Sequence, residues 1–342
     1  MSGIPNSVKA KGKRQKVKAS CFSLFAFYFL PFALLPSVGC NQEQQAVDLY
    51  VDAVMLRELD QDEVAVKRLN SAVRLNKRFS LAYSLLGEIY QEMKEYEKSA
   101  ASYEKATKLN PWSFEDYFNL GRVYQIMKKF AQAVGAYAEA CRLRPNHLEA
   151  HTRTAKCYYQ IGDYHKALIY GEQAEQIDPN VSEIQNLLGD IYALKTDYEK
   201  AIRSYKRSLE TDGNNAKIMT SLAVAYLKTN RNEPAKEVLE SVIQIQPDDN
   251  TAYKHLGYCY LRLKDIDKSI ENYSRAIKIN SRDWDARRGL GVAYILKGTK
   301  EDETVDETLK KKAVEQWRLS LEIEPNQANR ERLLKYIRIF SK

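Results

Sequence analysis

Leu120–Pro145 reads LGRVYQIMKKFAQAVGAYAEACRLRP. Small residues stand at Gly121, Ala133 and Ala140, large ones at Leu120, Tyr124 and Tyr137, and Pro145 closes the stretch. The spacing is that of two helices pressed together. Small side chains let the helix backbones approach, and bulky ones fill the space beside the contact.

The same spacing returns along most of the chain. With Gly121 as position 8 of a 34-residue unit, steps of 34 give starts at Ala46, Ser80, Phe114, Leu148, Ser182, Ala216, Asn250 and Trp284. Position 8 then reads Ala53, Gly87, Gly121, Ala155, Gly189, Ala223, Gly257 and Gly291. Position 11 is Leu56 followed by Tyr90, Tyr124, Tyr158, Tyr192, Tyr226, Tyr260 and Tyr294. Position 20 is Ala or Ser throughout, from Ala65 to Ala313, the last displaced ten residues by an insertion near residues 297–312. Position 24 is large except at Gly171, and position 32 is proline at Pro111, Pro145, Pro179, Pro247 and Pro325. A proline there is expected to end the second helix of a unit. Helices of about a dozen residues are marginal alone in water. Adjacent units must therefore bury one another's faces in a stack.

These residues resemble the tetratricopeptide repeat over residues 46–325. The resemblance implies an all-α fold: a right-handed superhelical solenoid of antiparallel helix pairs, about eight units long. Residues 326–342 carry Leu333, Leu334, Ile337 and Phe340 on one helical stripe and read as a C-terminal capping helix. The insertion, acidic then basic, reads as a lengthened, solvated second helix.

Composition agrees with a helical chain. Among 342 residues there are only 14 glycines and 9 prolines to break helices. The net charge of +8 is mostly N-terminal: Lys9, Lys11, Lys13, Arg14, Lys16 and Lys18 supply six cations, and residues 1–39 hold no Asp or Glu. The repeats are near balance, which argues against a nucleic-acid partner.

After the basic start, an apolar run extends from Cys21 to Leu35, broken by Pro31. It resembles a secretory signal peptide over residues 1–39. Val38, Gly39 and Cys40 also resemble the end of a bacterial lipoprotein signal, with Ser37 where Leu is usual. That resemblance implies acylation of Cys40, a tether at 40–45, and a membrane partner reached through the lipid. Plain secretion and an uncleaved inner-membrane anchor are the alternatives. All three place the repeats outside the cytoplasm, in a bacterial cell envelope. Asn41 favours the outer membrane of a two-membrane cell.

No catalytic constellation stands out. His147, Glu149 and His151 form H-x-E-x-H, which matches no zinc-protease pattern. Neither metal, cofactor nor small-molecule substrate is expected. Cys157 and Cys259 share position 10 and read as buried thiols, and a Cys141–Cys157 bond is left open.

In proteins similar to this one, positions 2, 5, 6, 9, 12 and 13 of first helices line the concave face. The early units place Tyr50, Leu85, Glu88 and Glu92 there. The middle units place Phe118, Asn119, Arg122, Arg153, Lys156 and Tyr159. The late units place Lys254, His255, Tyr258, Arg262 and Arg288. Apolar anchors beside charges suit a peptide or protein client. The carboxylate clamp of chaperone-tail binders is not matched: Asn119 and Arg153 fit, but Ser84, Glu88 and Glu149 do not. The reading is a non-enzymatic scaffold for envelope assembly. An adaptor delivering clients to an envelope protease or synthase is the second reading, and a metal-dependent hydrolase a remote third.

Overall fold

The structure is a computed structural model and describes residues 38–301 and 304–341. The signal-like segment and the Cys40 side chain lie outside the described residues. Seventeen α-helices are present among the described residues. The first unit is α1 (Val38–Glu58) with α2 (Asp62–Leu75), and the second is α3 (Ser80–Glu92) with α4 (Tyr96–Leu109). Then come α5 (Phe114–Ile126) with α6 (Phe130–Leu143), α7 (Leu148–Gln160) with α8 (Tyr164–Ile177), and α9 (Ser182–Leu194) with α10 (Tyr198–Thr211). The series continues with α11 (Ala216–Lys228) and α12 (Asn232–Ile245), then α13 (Asn250–Arg262) and α14 (Ile266–Ile279). It ends with α15 (Trp284–Gly298), α16 (Glu307–Ile323) and the terminal α17 (Arg330–Phe340). From α3 to α15, every first helix starts on the residue that opens its sequence unit. The helix α1 starts eight residues before Ala46 and runs through the stretch expected as a tether.

Helix pairs form because position 24 of the second helix packs onto position 8 of the first. A Cβ built on Gly121 would lie 2.5 Å from Tyr137 Cδ1, and one on Gly189 would lie 2.5 Å from Tyr205 Cε1. Where position 20 is serine, its hydroxyl reinforces the contact: Ser99 Oγ donates to the Gly87 carbonyl at 2.7 Å, and Ser269 Oγ to that of Gly257 at 2.8 Å.

The turn between the two helices is the same in seven units. Position 15 has a left-handed backbone at Asp60, Lys94, Lys128, Gly162, Thr196, Asn230 and Lys264, with φ from 56° to 81°. Only Gly162 adopts it without a Cβ penalty. In the eighth unit the insertion replaces this turn. There Thr299 bridges Val305 in antiparallel fashion, Asp306 caps α16 by accepting from the Thr308 and Leu309 amides, and α16 runs 17 residues.

Proline is not what stops the second helices. The helices α4, α6, α8, α12 and α16 end two residues before it, yet α2, α10 and α14 end at the same place before Lys77, Gly213 and Ser281. All eight share a cap residue that has left the helical region, with φ from −121° to −145° and ψ from 67° to 107°, and whose amide still bonds four residues back, as Asn110 does to the Ala106 carbonyl at 2.8 Å. The following unit fixes the break by packing, and proline only fits it.

Units are joined by a core that recurs along the stack rather than sitting at one centre. Leu188, Leu239 and Leu256 are among its fully buried members. Hydrogen bonds cross the joints at fixed register: Tyr192 Oη donates to Glu172 Oε1 at 2.9 Å, Tyr260 Oη to Glu240 Oε1 at 2.6 Å, and Tyr124 Oη to Glu104. Burial, then the carboxylate partner, pushes the Tyr124 phenol up to about 12.

Candidate interaction groove

First helices from α7 to α15 lie side by side, and the positions expected to face a groove recur along them. The middle section of that groove is built from α5 and α7. Phe118 stacks on Phe114 at 5.6 Å and packs against His147 at 5.4 Å. The Arg153 guanidinium lies 6.0 Å from the Phe118 ring centre, pairs with Glu149 at 2.7 Å, and donates to Gln125 Oε1 at 3.3 Å. Arg122 donates to Asn119 Oδ1 at 3.5 Å, Lys156 pairs with Glu183 of the next unit, and Tyr159 packs on Tyr164 at 5.5 Å. The six side chains are half-buried and held by neighbours, which makes this section pre-organised.

The late section contains a cavity of about 750 Å³, which opens between α11, α13, α15 and α17. Lys254, His255, Tyr258 and Arg288 line it, whereas Arg262 does not and instead donates to Asn230 Oδ1 at 3.1 Å. Its floor is the ring of Tyr273, buried between Gly257 and Gly289; a Cβ at Gly289 would lie 2.6 Å from Tyr273 Cε1. Gly289 thus leaves room for the phenol. Burial, and then the adjacent Lys254, lowers the His255 imidazole to about 4. It is therefore neutral near pH 7.

The α17 wall of this cavity was missed by the sequence reading, which expected only a cap. Asn329, Arg332, Leu333, Tyr336 and Phe340 all line the cavity. The signal was present: after the ten-residue insertion the 34-residue phase resumes at Ala328 and puts these residues at positions 2, 5, 6, 9 and 13. The terminal helix is in step with the first helices. Trp317 secures it, with ring centres 5.5 Å from Tyr336 and 5.9 Å from Phe340, while Trp317 Nε1 donates to the Arg288 carbonyl at 3.1 Å.

The H-x-E-x-H residues go to three separate partners. His147 caps α7, accepting from the Ala150 amide at 3.2 Å; Glu149 holds Arg153; and His151 Nε2 meets the Pro145 carbonyl at 2.8 Å. No cluster of three His, Cys, Asp or Glu able to hold a metal occurs among the described residues. Cys141, Cys157 and Cys259 are free and buried, so Cys141 and Cys157 are not bonded; Cys141 Sγ instead meets Thr154 Oγ1 at 3.5 Å. Burial pushes the Cys157 thiol up to about 11 and the Cys259 thiol up to about 12, keeping both protonated and unreactive. No described helix is long and apolar enough to cross a membrane.

Comparison with known proteins agrees with this architecture. Tetratricopeptide-repeat family models match residues 193–257 and 251–283. A model for subunit 3 of the anaphase-promoting complex, cyclosome, matches residues 92–174. No curated protein matches in sequence. Among solved structures, the chain is similar to the C-terminal part of a TPR repeat-containing protein from Cytophaga hutchinsonii. The identity is 19%, with 70% of this chain and 99% of that one covered, at a TM-score of 0.56. It is also similar to a chain of the APC/C hetero-tetramer Cut9-Hcn1, with 16% identity, 84% and 55% covered, and a TM-score of 0.50. YrrB, a TPR protein with an unusual peptide-binding site, aligns at 23% identity over 54% of this chain and 95% of that one, with a TM-score of 0.49. With its helix pairs stacked in register and a terminal helix closing the end, this chain has the fold of a tetratricopeptide-repeat solenoid, and tetratricopeptide-repeat models match it over residues 193–283.

Proposed function

We propose that this chain is a non-catalytic scaffold that holds a peptide or protein client in its groove. It does so on the extracytoplasmic side of a bacterial membrane, tethered by a lipid on Cys40, in the assembly of envelope machinery such as a pilus, a secretion system or the outer membrane. The observation that carries the client-binding part is the pre-organised middle groove, where Phe118 and Tyr159 stand beside Arg122, Arg153 and Lys156. Aromatic anchors flanked by cations supply both the apolar contact and the charge recognition that client capture needs. The location is supported by the basic start, the apolar run Cys21–Leu35 and the Val38-Gly39-Cys40 exit.

Two experiments test the two parts. Crosslinking in intact envelopes, followed by capture, should recover a client with the wild-type chain and lose it with Arg153→Glu/Lys156→Glu. A client retained undiminished by that variant overturns the groove assignment. Palmitate labelling should disappear in Cys40→Ser, and labelling that persists there rejects the tether.

A further inference from the structure

Two surfaces at opposite ends of the stack lie outside the middle section of the groove that carries the client reading. One is the outer face of α1. Position 10 of the first helix is Ile89, Val123, Cys157, Ile191, Ala225, Cys259 or Ala293 in units two to eight, and each is 0–2% exposed under the preceding unit. In the first unit it is Met55, 59% exposed. Val51 and Val47 precede it by one and two turns on the same face, and Leu59 follows it just past the end of α1, all three exposed. Asp48, Asp52 and Glu58 flank the row and face solvent. Arg57, the lone cation of α1, turns inward onto Glu88 and Glu92. The first unit therefore presents an apolar stripe with acidic margins, where the end of a solenoid ordinarily has a polar cap.

The other is the C-terminal cavity, where the apolar walls carry the opposite charge. Lys228, Lys254, Arg288 and Arg332 line it, with Asp285 the single carboxylate. Asp285 is shared by Lys254 and Arg288, while Lys228 and Arg332 have no carboxylate partner among the described residues.

We propose that α1 of one copy docks its uncovered face into the C-terminal cavity of a second copy. The row from Val47 to Leu59 is about 18 Å long at 1.5 Å per residue. The three first helices α11, α13 and α15, at helix-packing distances of about 8–10 Å, span roughly 16–20 Å. Laid across them, the four apolar side chains meet the apolar walls, and the acidic margins face the unpaired Lys228 and Arg332. A copy does not fill its own cavity, since units two to five stand between α1 and α11 in the stack. The two faces differ, so the contact is head-to-tail and leaves one of each face free to bind again. The charged margins make it weaken with salt. The middle groove from Phe118 to Tyr159 takes no part, so this proposal and the client reading stand or fall separately.

Sedimentation velocity on the full chain tests the proposal, using two surface variants whose helix content and Tm are checked against wild type. Met55→Glu spoils only the α1 face, and Lys228→Glu/Arg332→Glu spoils only the cavity. The wild type should exceed twice its monomer mass as concentration rises at low salt, and fall back at high salt. Each variant alone should stay monomeric. Mixed together they should form a one-to-one pair and nothing larger, because each retains one good face. A wild type that stays monomeric overturns the proposal, as does a mixture that yields no pair, or a variant that still assembles like the wild type. A monomer whose Met55 resists oxidation also overturns it, and assigns the cover of α1 to residues 1–37 of the same chain.

Discussion

Tyr137 lies so close over Gly121 that a single methyl group at 121 would collide with its ring. The relationship holds throughout the stack. Position 8 is glycine where position 24 is aromatic: Gly87 with Tyr103, Gly121 with Tyr137, Gly189 with Tyr205, Gly257 with Tyr273 and Gly291 with Trp317. Position 8 is alanine where position 24 is smaller: Ala53 with Leu69, Ala155 with Gly171, and Ala223 with Leu239. Small at one position is matched by large at the other in seven units; the fourth, Ala155 with Gly171, is the exception, where Leu188 of the next unit lies 2.9 Å from a Cβ built on Gly171.

That rule predicts a coupled pair of substitutions. Gly121→Ala gains about 1 kcal/mol of helix propensity and loses about 1–3 kcal/mol to overpacking, for a net destabilisation. Tyr137→Leu removes the obstacle and recreates the pairing of Ala223 with Leu239. Chemical denaturation of the two single variants and the double variant should show favourable coupling. Strictly additive losses would show that the crossing does not set the fit.

The other glycines should respond differently. Gly162 has φ 81°, and Gly162→Ala should destabilise by about 1–2 kcal/mol through its left-handed backbone. Gly135 lies within α6 with nothing near a Cβ, so Gly135→Ala should stabilise by about 1 kcal/mol. Thermal melts of the two variants should move in opposite directions.

His255 gives a pH signature. Its folded value of about 4 lies below the ordinary 6.5, so the unfolded chain binds the extra proton between those limits. Stability is then full above about pH 6.5 and declines as pH falls toward 4, by up to about 3 kcal/mol. Denaturation midpoints at pH 7 and pH 5 should differ less in His255→Gln than in the wild type. An equal difference in both would place the titration elsewhere.

The inter-unit phenol bonds should affect cooperativity. Tyr192→Phe deletes the bond to Glu172 across the joint between the fourth and fifth units. A loss of about 1–2 kcal/mol is expected. In a stack coupled only to nearest neighbours, weakening one joint broadens the unfolding transition. A sharp, unshifted transition would show that the bond contributes nothing to the joint.

The sequence by itself determined the helix pairs, their period and their register. Those depend on side-chain volume at fixed intervals, and the intervals are printed in the chain from Gly87 to Trp317. The resemblance to the tetratricopeptide repeat named the first-helix positions expected to face a groove; of the late ones, Lys254, His255, Tyr258 and Arg288 line the cavity and Arg262 does not. Tertiary structure decided what no single unit contains. It made the terminal cap a cavity wall as well, sent His147, Glu149 and His151 to separate partners, and left Met55 bare where its seven counterparts are covered. Each of these depends on which neighbour is present in space, and burial belongs to the stack rather than to the residue.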